Sequence, residues 1–437
     1  MLSATDNRLT PRDRRRARRL AYFNGAIWAV GNGLAGTTLV IYLALELGAD
    51  KIGLGIALIL ASRNIVGLLR LGAPAMIGRL ANRKRFCLAT FLISGLLLMT
   101  LPWVTAPGRL ATPAQSLLAL VGLWCFYHLF QYLATIALWS WLADLVPLRI
   151  RGRFLGRRQR WMVAGEAAAL LCSGLFVYHW RQSYPDQPRW IAYAILAMLG
   201  ACFMLAALVP LWRMSSAVAA TAGKMHRRLN FAAIVAPLGD RRFRRLLLFG
   251  CWLAFFNGVS GAAQAIYPMS VLGMGLYVML SLKTGMRCGQ WAVSPWMGKL
   301  ADRLGNRRVM LPSLALVAAG PFFFLCSTPS QPWWFVGAWV LWIAYAGLNV
   351  CLPNLMLKLS PSESNTPHIA MYFTITGLFY ALATIAGGAM LDLCRDETFH
   401  LFGGAVSLDF FQYNFLFGWI TRSLGVLVLL LVIEDDR

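Results

Sequence analysis

Apolar stretches of about 20 residues recur along this chain, and that recurrence restricts the fold more than any single motif, because a helix of about that length matches the hydrocarbon thickness of a bilayer. Twelve are read, near residues 20–45, 52–77, 87–106, 114–142, 160–179, 190–212, 245–268, 272–297, 309–327, 332–357, 369–391 and 411–433. With 437 residues, 59% of them apolar and only 13% charged, the chain carries more apolar surface than a water-soluble core absorbs. Backbone polar groups in lipid have to be satisfied within each segment, so the expected class is an all-α polytopic membrane protein.

The formal net charge of +24 would suit a nucleic-acid binder only if it lay on one face of a soluble fold. Here the basic residues come in clusters between apolar spans. With the N-terminus placed in the cytosol, 31 of the 41 Lys and Arg fall on the cytosolic side, 5 on the opposite face and 5 within spans. That asymmetry is the positive-inside pattern, and it predicts both termini in the cytosol. Residues 1–19, with Arg12, Arg14, Arg15, Arg16, Arg18 and Arg19, read as a basic tail suited to anionic lipid headgroups rather than as a cleaved leader. The basic stretch 213–244 is the longest cytosolic connection and separates a bundle at 20–212 from one at 245–437. Nine cysteines are scattered without metal-ligand spacing, so no metal or cofactor is expected. No nucleophile and base are spaced for catalysis, so no enzyme is expected either.

The two bundles repeat one another. Asn32-Gly33-x-x-Gly36-x4-Ile41-Tyr42-x5-Gly48 recurs as Asn257-Gly258-x-x-Gly261-x4-Ile266-Tyr267-x5-Gly273. Further on, Gly78-Arg79-Leu80-Ala81-Asn82-Arg83 recurs as Gly298-Lys299-Leu300-Ala301-Asp302-Arg303. Internal duplication of this kind is the mark of membrane carriers. Residues 298–308, Gly-Lys-Leu-Ala-Asp-Arg-Leu-Gly-Asn-Arg-Arg, form a short basic hinge between two spans. Gly298 and Gly305 are expected to permit the reversal, while Arg303, Arg307 and Arg308 hold the hinge at the membrane face.

This hinge closely resembles the G-x-L-A-D-R-x-G-R-[RK] loop of the major facilitator superfamily of secondary transporters. Asp144-Leu145-Val146-Pro147 followed by Arg151-Gly152-Arg153 resembles that family's pattern after the fourth helix. The resemblance implies a monomeric carrier of twelve helices in two pseudo-symmetric six-helix bundles, with alternating access and cytosolic latches. It makes Gly298, Asp302, Arg303, Gly305, Arg307, Arg308, Asn82, Arg83, Asp144 and Arg151 the gating residues. The first-half copy departs from the pattern, with Asn82 for the usual aspartate and no Leu-Gly step, so its latch is expected to be the weaker.

Ionised side chains in mid-span are costly and are functional candidates by default. Five cations, Arg63, Arg70, Lys283, Arg287 and Arg422, stand against one clear carboxylate, Glu166. Arg63 and Lys283 both lie 15 residues before their hinge glycine, about 22 Å along a helix, which places them near mid-bilayer. They are read as a two-armed clamp for an anion, with Arg70 and Arg287 behind them. Internal pairing with Glu166 is the competing account. Because the resemblance makes the last helix peripheral, Arg422 is expected to be a snorkelling or structural residue. The helices that line the cavity in the family, the first, fourth, seventh and tenth, carry Asn32, Tyr132, Asn257, Gln264 and Tyr345, the expected polar and aromatic wall. His128 reads as a packing residue.

The expected function is secondary transport of a small organic, anionic solute, with Glu166 for proton coupling or a counter-anion for exchange. Proton-coupled export of lipophilic, drug-like compounds and sugar or cation symport are the alternatives. Short loops and the absence of an N-x-[ST] sequon fit a bacterial inner membrane.

Overall fold

The computed structural model describes residues 11–48, 52–70, 83–145, 148–215, 236–359, 366–401 and 406–432. Twelve long helical segments follow one another. They are α1 (Arg12–Glu46), α2 (Ile52–Leu69), α3 (Lys84–Val104), α4 (Pro113–Leu145), α5 (Leu148–Ser183) and α6 (Arg189–Arg213). Then come α7 (Arg241–Ser270), α8 (Leu276–Leu304), α9 (Asn306–Cys326), α10 (Trp334–Leu352), α11 (Thr366–Cys394) and α12 (Phe410–Val432). Eleven are long and apolar enough to cross a membrane. The exception is α8, whose 29 residues reach roughly 44 Å at 1.5 Å per residue and whose composition is diluted by Lys283, Arg287 and the hinge charges. The protein is an integral membrane protein of all-α class, with one antiparallel hairpin, β1 (Thr398–Leu401) and β2 (Val406–Asp409), between α11 and α12.

The chain forms two compact units. In the first, Met1–Leu47 with Gly72–Leu229, α1 packs on α5 and α6, and α3 on α4 and α6. In the second, Gly48–Leu71 with Asn230–Arg437, α7 packs on α11 and α12, and α9 on α10 and α12. Shifting each label by six turns one set of pairs into the other, so the sequence duplication is a structural one. Finer details repeat as well. The first helix of each set is interrupted at the same point of the repeat, after Leu34 and after Val259, and each ends at a glycine of φ 64°, Gly48 and Gly273. A methyl group on Gly33 would meet the Glu166 carbonyl oxygen of α5 at 2.8 Å, and one on Gly258 would meet the Tyr380 carbonyl of α11 at 2.6 Å. Small residues are what let membrane helices approach closely enough to gain dispersion energy where lipid supplies no hydrophobic drive.

One feature departs from the division of the sequence into bundles at 20–212 and 245–437. By packing, α2 belongs to the second unit, where it lies along α11. The cause is a small-residue seam, since a methyl group on Gly53 would meet the Gly388 carbonyl oxygen at 2.8 Å. The Asp392 carboxylate of α11 then closes the end of the seam, accepting hydrogen bonds from the backbone N–H groups of Gly53 at 2.8 Å and Leu54 at 2.7 Å. Those are two of the donors that a helix N-terminus leaves without a partner.

Candidate functional site

The hinge residues divide by role. Gly305 has φ 90°, a conformation that suits glycine, and it makes the reversal between α8 and α9. Gly298 does not share in it, contrary to the sequence reading: it sits within α8, which runs on for nearly two more turns, through Leu304, before the chain reaches Gly305. Arg307 donates from Nη2 to the Leu430 carbonyl at 2.7 Å and so caps the C-terminal end of α12. Lys84, at the matching start of α3, donates from Nζ to the Trp212 and Met214 carbonyls at 2.7 and 2.6 Å and caps the end of α6. In each unit, then, a basic residue at the start of the helix that follows the hinge glycine satisfies orphan carbonyls at the end of that unit's last helix, where the helix dipole also favours a cation. Arg303 and Arg308 are exposed. Asn82 lies outside the described residues, as do the side chains of Asp302, Arg83, Asp144 and Arg151.

The mid-span cations are spread over α2, α8 and α12. Arg63 on α2 is exposed, Lys283 on α8 is half-buried, and Arg287 is exposed and donates from Nη1 to Gln290 Oε1 at 3.4 Å. Gln290 in turn donates to the Trp342 carbonyl at 2.9 Å, tying α8 to α10 where a 3-10 turn, Trp342–Ala344, interrupts it. The Arg70 side chain lies outside the described residues. Glu166 is half-buried on α5 of the first unit.

Of the two roles expected of Arg422, snorkelling or structural, the first is overturned. Arg422 does not snorkel: it is 2% exposed, and from Phe410 it lies about 18 Å along α12, midway through the helix. Its guanidinium reaches into the second unit, where Nη2 approaches Gln264 Oε1 of α7 at 3.4 Å, with Tyr345 of α10 and Tyr380 of α11 in electrostatic range. The Tyr345 hydroxyl donates to Asn257 Oδ1 at 3.5 Å. Three of the predicted wall residues, Asn257, Gln264 and Tyr345, therefore converge, and they do so around a cation that the sequence had assigned to the periphery. The signal was available: a lone arginine in the middle of a strongly apolar span is costly unless it faces the protein interior.

Asn32 is half-buried beside the α1 break, and Tyr132 is half-buried on α4. His128 packs edge-on against Trp124 at 4.6 Å between ring centres, the packing role expected of it. A buried cation that sequence reading passed over is Arg158, ahead of the α5 crossing stretch Trp161–Ser183. It approaches Asn24 Oδ1 of α1 at 3.5 Å, and burial pushes its guanidinium down to about 10, still charged at neutral pH.

Residues 284–433, most of the second unit, match the family model of the Major Facilitator Superfamily. Over that stretch the chain is similar to that superfamily. Among solved structures, the nucleoside transporter NupG aligns with a TM-score of 0.66 at 14% identity, over 96% of this chain and 98% of that one. A D-xylose-proton symporter aligns with a TM-score of 0.69 at 12% identity, over 97% and 98%. The xylose transporter XylE from E. coli in its inward open conformation aligns at 0.66 and 11%, over 96% of both chains. No curated protein is similar enough in sequence to match. At such identities the likeness across the whole chain is one of fold alone.

Proposed function

We propose that this chain is a secondary transporter of the major facilitator type that moves a small organic anion by alternating access. The observation that carries the reading is the charge imbalance inside the spans, where Arg63, Arg70, Lys283, Arg287 and Arg422 stand against Glu166. Positive charge in a bilayer is expensive, and a passing anion lowers that cost. An empty carrier of this kind is slow to reorient, so exchange of one anion for another is the natural cycle, with proton uptake at Glu166 as the other coupling route.

In proteoliposomes, Arg63→Gln and Lys283→Gln are each expected to reduce uptake of the transported anion at least tenfold while the protein stays folded. Unchanged uptake in both would remove these two residues from the path. Glu166→Gln separates the couplings: loss of pH-driven accumulation with exchange intact assigns the proton to Glu166.

A second reading, transport of a neutral sugar-like solute, is favoured by the convergence of Asn257, Gln264 and Tyr345, since amides and phenols bind hydroxyl groups well. It also agrees with what the aligned transporters are named for. The two readings part on whether neutralising Arg63 or Lys283 matters.

A further inference from the structure

Two buried donors at the centre of the second unit lack acceptors. Arg422 Nε and Gln264 Nε2 are both shut off from solvent, and neither has a hydrogen-bond partner among the described residues. They are neighbours, since the same guanidinium offers its Nη2 to Gln264 Oε1, at 3.4 Å a long and weak contact. No carboxylate lies in electrostatic range of Arg422 among the described residues; its polar surroundings are Gln264 and the hydroxyls of Tyr345 and Tyr380. Flipping the Gln264 amide is no remedy, because it would turn an N–H group toward the guanidinium. The protein therefore buries a cation at mid-span with its Nε edge unfilled and a second N–H donor beside it.

We propose that Arg422 and Gln264 form the binding site for the carboxylate group of a small organic acid. Nε and Nη2 lie on one edge of the guanidinium, the edge that holds the two oxygens of a carboxylate in parallel hydrogen bonds. Gln264 Nε2 supplies a third donor, and Tyr345, fixed by Asn257, adds a hydroxyl and an aromatic wall for the acid's carbon skeleton. The donors are closed to water in this conformation, so the acid enters when the helices part, as a carrier's cycle requires. The inference rests on the anion-transport reading for what the site is for, and not for whether it binds.

The test is thermal unfolding of the full-length protein purified in detergent, with sodium formate, acetate, benzoate and pyruvate titrated against sodium chloride at constant ionic strength. A ligand that binds only the folded form raises the apparent melting temperature as its concentration passes its dissociation constant. At least one carboxylate is expected to give such a saturable rise in the wild type. The rise should vanish in Arg422→Met and reach its midpoint at roughly tenfold higher concentration in Gln264→Met, about the worth of one charge-assisted hydrogen bond. Should Arg422→Met fail to fold, Gln264→Met, which keeps the cation, decides. No rise in the wild type, or a rise unchanged in both variants, would overturn the site. A rise that depends on Arg422 in a protein whose anion uptake is nil supports the site and removes the transport reading, which keeps the two failures apart.

Discussion

Gly388→Leu is expected to lower the apparent melting temperature of the purified protein by several degrees and to leave transport at background. Even the first carbon of the new side chain would press against the Gly53 carbonyl oxygen at 2.6 Å and against the Ala57 side chain of α2. A backbone carbonyl in a packed helix cannot step aside as a flexible side chain does. Overpacking of this kind costs about 1–3 kcal/mol where the surroundings can adjust, and more where they cannot. Gly388→Ala should fall between wild type and the leucine variant. A leucine variant that melts with the wild type would mean that α2 does not lie along α11 as described, and the grouping of α2 with the second unit would go with it.

Asp392→Ala is the next largest expected effect, and its sign follows from the two helix dipoles. Asp392 sits in the last turn of α11, where the partial negative charge of the helix disfavours a carboxylate, and that placement is offset only by what the side chain does elsewhere. It caps α2, taking the N–H groups of Gly53 and Leu54 on its two oxygens. Removing such a cap costs about 1–2 kcal/mol, because both donors are left unfilled. Amide hydrogen exchange over the first turn of α2 should accelerate in Asp392→Ala, by roughly tenfold for each 1.4 kcal/mol lost. Asp392→Asn keeps one acceptor and should lie between. Exchange unaltered in both variants would mean that the carboxylate is not the cap.

How much of this could be read from residues alone differs by feature. The duplication was legible because it is written in residues whose backbone roles differ from those of their neighbours, Asn32-Gly33 and Asn257-Gly258 at the interrupted helices, and Gly48 and Gly273 at the positive-φ ends. The membrane class was legible because about 20 apolar residues have few other uses. The partner of α2 was not, because Gly53, Ala57 and Gly388 are ordinary small residues until the backbones they admit are seen side by side. Asp392 near the end of a span looks like any carboxylate approaching a loop. Gly298 was expected to turn the chain, yet helical hydrogen bonding carries through it to Leu304 and leaves the reversal to Gly305 alone.

That Arg422 would snorkel was expected for a different reason. The family resemblance ranked α12 as peripheral, and that ranking overrode the direct physical reading of an arginine halfway along an apolar helix. Gln264 and Tyr345 were chosen for their helices and not for their neighbours; what joins them is a side chain arriving from α12, which no spacing along α7 or α10 contains. The mid-span cations Arg63 and Lys283 were found by their charge and by their equal spacing from the duplicated hinge glycines, and their place in transport remains part of the proposal.

Whether the solute is an anion is read from the selectivity of the wild-type protein itself. Proteoliposomes loaded and challenged in turn with sugar acids, carboxylates, phosphate esters, nitrate, neutral sugars and a cationic drug should show counterflow only with members of the anionic set. Counterflow of a neutral sugar or a cationic drug, with every anion inert, would contradict the account.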